Sequence, residues 1–137
     1  MKLKLRAAAK ALIAHEAQML ASPTAAPFGG AIEKLRSPLS ALAGASGFSS
    51  LLLRALAIAR PEAPWLSSIE IDASGAIDLA KAKPAIASEI AEGEIALVAA
   101  LLELLVTFIG ELLTLRLLRD AWPKLPFNTL KFENEAP

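Results

Sequence analysis

The stretch that decides the fold is Ile90–Trp122, IAEGEIALVAALLELLVTFIGELLTLRLLRDAW. It is far too long for a strand and meets no proline before Pro123, so it predicts one helix of roughly thirty residues. It is apolar almost all the way round, interrupted by Glu103, Thr107, Gly110, Glu111 and Thr114. A helix of that kind must be covered, by protein or by lipid. Glu89, Glu92 and Glu94 stand near its start, and Arg116 and Arg119 near its end, with signs that suit the helix dipole. Ser88 is the expected N-cap.

A bilayer is the first cover to weigh. The window from Ile95 to Leu113 is hydrophobic enough to suggest a membrane span. Glu103 and Glu111 oppose it, because an acid near the bilayer centre costs on the order of 2.5–3.5 kcal/mol. The remainder of the chain also supplies apolar helical faces that match the long helix. The expectation is therefore a soluble helical bundle, with membrane association as the alternative.

Those matching faces are read outward from the long helix. Met1 to Ser22 begins basic, as a signal peptide would, but Lys10, His15 and Glu16 break the apolar run. Leu5, Ala8, Ala9, Leu12, Ile13, Met19 and Leu20 recur at helical spacing, which reads as an amphipathic helix packed on the core. A basic helix lying on a membrane surface is the alternative. Residues 22–30 form a loop by their proline and glycine content. A short helix is expected over Ala31–Arg36, then a fresh start with Ser37 as N-cap and Pro38 in the first turn. That second helix carries Leu39 and Leu42, weakens at Gly44-Ala45-Ser46-Gly47, and resumes from Phe48 to Arg60. Phe48, Leu51, Leu52, Ala55, Leu56 and Ala59 then share one face before Pro61 and Pro64 end it.

Between the helical regions, residues 66–79 read as a β-hairpin that turns at Ala73-Ser74-Gly75, with Ile69, Ile71, Ile77 and Leu79 as its apolar side. A two-stranded hairpin is marginal alone and needs a helix to lie on. Trp65 is expected to anchor it to the core, and Trp122 to close the end of the long helix. The fold class is thus mainly α: a small helical bundle around one long C-terminal helix, with a single β-hairpin. Residues 1–123 form one domain and residues 124–137 a C-terminal tail.

Composition removes several classes of function. The 137 residues are 55% hydrophobic and carry a formal net charge of zero, so disorder does not describe the whole chain. The basic excess usual in a nucleic-acid binder is missing too. No cysteine is present; thiolate chemistry and disulfides are out, which suits a cytoplasmic location. One histidine and no tyrosine leave few general acid–base groups. Glu103 and Glu111 lie eight residues apart, about 12 Å along a helix, too far to share a metal. Neither has a histidine three or four residues away. Their ordinary reading is a buried ion pair with Arg116, or with Arg54 or Arg60. The segment Asp72–Asp78 lacks the ligands of a calcium loop, and Gly44–Gly47 is neither a phosphate loop nor a nucleophile elbow. No cofactor and no catalytic residue is expected.

The remaining signal is geometric. On a continuous helix Glu103, Thr107, Gly110 and Thr114 fall on one narrow stripe. Large apolar residues spread over more than half of the remaining circumference. Thr107, Gly110 and Thr114, with Phe108 beside them, are the interface candidates, where small residues would admit a second helix closely. A homodimer or another protein partner is the expected cover. The strings Glu33–Ser40, Ala43–Phe48, Val106–Glu111 and Leu113–Pro123 resemble short bacterial proteins to which no activity is assigned. The resemblance runs from Ile32 to Pro123 and implies no activity and no site residues. The leading functional expectation is a non-enzymatic helical interaction or regulatory module that self-associates. A membrane-associated small protein comes second, and a ligand-binding or catalytic bundle using Glu103, Glu111 and an arginine third.

Overall fold

A computed structural model describes residues 8–14, 30–72, 77–78 and 87–122. In chain order it shows helix α1 (residues 8–14), helix α2 (Gly30–Ala59), a 3-10 turn (Pro64–Ser68), strands β1 (Glu70–Ile71) and β2 (Ile77–Asp78), and helix α3 (Ala87–Ala121). The C-terminal tail and the hairpin turn at residues 73–76 lie outside the described residues.

Helix α2 runs straight through Ser37 and Pro38, where the sequence suggested a fresh start. Pro38 denies the carbonyl of Lys34 its usual N–H partner, yet the chain stays helical. The break comes instead at Gly44, whose torsions are φ 81° and ψ 165°. That combination is essentially open to glycine alone. The change of direction there is sharp. Arg36 and Phe48 would be about 18 Å apart along a straight helix, but the Arg36 guanidinium carbon sits 5.0 Å from the centre of the Phe48 ring. Gly47 makes the corner possible in a second way. A Cβ placed on it would lie 2.7 Å from the Cβ of Ala43, where a straight helix keeps residues four apart at about 5–6 Å. Gly44 supplies the torsion and Gly47 supplies the room.

Helix α3 begins at Ala87, so Ser88 lies inside it and is not its N-cap. It is not one uninterrupted rod either. Gly110 has φ 85° and ψ 166°, nearly the torsions of Gly44. A lone glycine costs a helix only about 1 kcal/mol, so it does not by itself announce a break, although the weak helix formers Val106, Thr107, Phe108 and Ile109 precede it. Thr114 donates from its hydroxyl to the Gly110 carbonyl at 2.8 Å, just past the break.

The core is one cluster to which every helix contributes. Ala8, Ala9 and Leu12 of α1 are buried, in keeping with a core-packed amphipathic helix. From α2 come Ile32, Leu35 and Leu39 before the corner, then Phe48, Leu52, Ala55, Leu56 and Ala59 after it. From α3 come Ile95–Leu102, Leu104 and Leu105, with only Ala99 of that run half-buried, and then Leu118; Trp122 joins the core just past the helix end. Two contacts set the chain from Arg54 to Trp65 against α3. Arg54 lies over Phe108, 5.8 Å from the ring centre, and Trp65 lies against Gly93, where an added Cβ would collide with the indole. As residue number rises from Arg54 near the end of α2 to Trp65 in the 3-10 turn, it falls from 108 to 93 on α3, so the chain here runs opposite to that part of α3.

The hairpin is antiparallel, with Glu70 opposite Asp78 and Ile71 opposite Ile77. Leu66, Ser67 and Ser68 do not open its first strand as the sequence suggested. They belong to the 3-10 turn that Pro64 starts, held by Leu66 N–H to the Ala63 carbonyl at 2.9 Å and Ile69 N–H to the Leu66 carbonyl at 3.1 Å. Ile69 is buried and Ile71 half-buried against the core, while the Ser49 hydroxyl donates to the Asp72 carbonyl at 2.9 Å and ties the hairpin to α2.

Candidate interaction surface

The stripe expected on α3 does not survive the break at Gly110. Thr107 is exposed, whereas Thr114 is fully buried by its own chain and is unavailable to a second copy. Both hydroxyls turn inward to the backbone four residues back, Thr107 to the Glu103 carbonyl at 2.8 Å and Thr114 to that of Gly110. Gly110 itself is exposed, and a Cβ on it would meet nothing within 4 Å.

The expected buried ion pair is not buried. Glu103 and Glu111 are each half-exposed and Arg116 is exposed. Leaving these charges in water avoids the cost of desolvating them. A well-formed ion pair stands elsewhere, on the first half of α2. Arg36 donates to Glu33 from Nε at 3.0 Å and from Nη2 at 2.7 Å. That hydrogen bond holds the Glu33 carboxyl below its ordinary range and pushes the Arg36 guanidinium up, helped by the negative Asp72 nearby.

What α3 does present is apolar. Phe108, Leu112 and Leu113 are exposed, and Leu112 keeps 84% of its surface in water. On α2, Leu53 is exposed next to Arg54, the residue that reaches Phe108, so the exposed surface continues from one helix to the other. Leu42, which the sequence placed on a buried face, is also exposed beside the Gly44 corner. Beyond Gly110, Leu112, Leu113, Arg116, Arg119 and Asp120 face outward while Thr114 and Leu118 face the core. The result is an apolar patch bordered by cations. Leu112 and Leu113 were the missed residues. Adjacency alone did not single them out, since the adjacent pairs Leu101–Leu102 and Leu104–Leu105 on the same helix are buried.

A groove of about 520 Å³ opens between α2 and β1, lined by Leu53, Leu56, Arg60, Ile69, Glu70, Ile71 and Asp72. Among the described residues no group of three or more His, Asp or Glu side chains is placed to hold a metal ion. His15 falls outside them. Among the described residues, neither the groove nor this surface brings together a nucleophile, a base and a group to orient it, the arrangement that acyl or phosphoryl chemistry needs. Comparison with known proteins found no matching family model, no matching curated protein and no matching solved structure.

Proposed function

We propose that this chain is a non-enzymatic helical interaction module, working in the cytoplasm, that pairs with a second copy of itself through the face around Gly110. The observation that carries the reading is the exposure of Phe108, Leu112 and Leu113 within one short stretch of α3. Large apolar side chains gathered on a surface are the usual anchors of a protein contact, with aromatic residues prominent among them. Arg54 and Arg116 border the patch and give it the polar rim that such interfaces carry. Of the residues chosen from sequence, Phe108 and Gly110 stay in the interface and Thr114 leaves it. Sedimentation equilibrium over micromolar concentrations tests the proposal. The wild-type chain is expected to weigh as a dimer and Leu112→Glu as a monomer. A wild-type monomer across that range removes the reading.

A second reading, membrane association, is favoured by one specific observation. Ile32–Ala59 and Ile90–Ala121 are both long and apolar enough to cross a bilayer by length and composition. Flotation with lipid vesicles separates the two: the dimer reading keeps the protein in the aqueous fraction, and the membrane reading carries it up with the vesicles.

A further inference from the structure

We infer that Gly44 is a hinge through which the first half of α2, residues 30–43, can be handed to a second copy of this chain. The inference concerns a different region from the face around Gly110 and does not rest on it. Three observations carry it. The corner is a single residue in glycine-only torsions, and residues 41–46 around it are all exposed. Nothing lies within 4 Å of where a Cβ would stand on Gly44, so no side chain packs over the corner itself. The arm it carries is a complete docking element, with Ile32, Leu35 and Leu39 on one face, each fully buried, and Arg36 seated on Phe48.

Straightening the corner turns α2 into one continuous helix and removes the arm from its seat. The seat then exposed is the one an identical arm fits. A second copy's arm restores the seat of Arg36 over Phe48 and covers the same apolar face, so the occupant is fixed by complementarity. Exchange of identical elements is a low-cost route to a dimer, and hinge substitutions promote it. The two glycines oppose straightening for different physical reasons, which gives two independent variants. Gly44→Ala disfavours the corner through its torsion and favours the straight helix through propensity. Gly47→Ala disfavours the corner by a clash with Ala43, which a straight helix relieves.

The experiment places each substitution in a Leu112→Glu background, where a dimer built on the Gly110 face dissolves. Mass is then measured by light scattering and helical content by circular dichroism. The expected result is a rise of roughly thirtyfold or more in the dimer-to-monomer ratio for each glycine variant, with helical content kept. If both variants keep the mass of the Leu112→Glu parent, whether folded or partly melted, the hinge is overturned. Failure of the Gly110 face shows separately, as a wild-type chain that is already monomeric.

Discussion

The two halves of α3 are both rich in large apolar residues and differ in how fully they are covered. From Gly93 to Leu105 nearly every residue is buried on all sides of the helix, and even Glu94 retains only 8% of its surface. From Val106 to Ala121 only Thr114 and Leu118 are fully buried, Val106, Ile109, Leu115, Leu117 and Ala121 are half-buried against the core, and Phe108, Leu112 and Leu113 are exposed. Apolar composition states a demand for cover. Where the cover goes is set by the bends at Gly44 and Gly110, which decide how far the α2 segments reach along α3.

The comparison can be broken at its strongest point first. Leu101 is fully enclosed in the covered half, so Leu101→Ala should cost about 2–5 kcal/mol in urea unfolding through lost burial and a cavity. A loss below about 1 kcal/mol would mean that half is not enclosed. Gly93→Ala comes next. The new methyl collides with the Trp65 indole, and refitting an aromatic ring in a packed contact should cost about 1–3 kcal/mol. A neutral result in thermal melts would place Trp65 elsewhere. In the bare half, Leu112→Glu should change unfolding free energy by no more than about 0.5 kcal/mol when measured on the monomer, since an exposed side chain loses nothing by becoming polar. A cost of several kcal/mol would show that the face is covered within the chain.

The smallest effect is electrostatic and sits on the arm of α2. The Glu33 carboxyl is held below its ordinary value by the Arg36 hydrogen bond. A carboxyl lowered in this way adds stability above the unfolded value near 4.5, and that stability fades as pH falls through the folded value. Glu33 is more than half exposed, so the contribution is only a few tenths of a kcal/mol. Glu33→Gln should flatten the pH dependence of the melting temperature below about pH 4.5 by that small amount. An unchanged acid slope would show that the pair adds nothing to folding.

Much of this architecture was legible in the residues. The long C-terminal helix, the hairpin centred on Ile71 and Ile77, the apolar face from Phe48 to Ala59 and the burial of Trp122 all follow from periodicity and turn chemistry. The two corners did not follow in the same way. Gly44 sits in a small-residue run that marks a weak point, and only its torsion distinguishes a weak point from a sharp bend. Gly110 follows the weak helix formers Val106, Thr107, Phe108 and Ile109, but a long apolar run on both sides read as one helix. Once Gly110 turns the chain, the spacing that placed Thr107 and Thr114 on one stripe no longer applies. The ion pair expected of Glu103, Glu111 and Arg116 failed for a related reason: sequence spacing assigns positions to a face but does not say which face meets solvent.

The placement of the two tryptophans gives the molecule a built-in optical readout. Trp65 rests half-buried on Gly93 near the start of α3, and Trp122 is enclosed just past its end. The chain contains no tyrosine, so its emission comes from these two indoles. Replacing either one with phenylalanine leaves a single fluorophore at a chosen end of the rod. The two ends can then be watched melting separately, without attaching a dye.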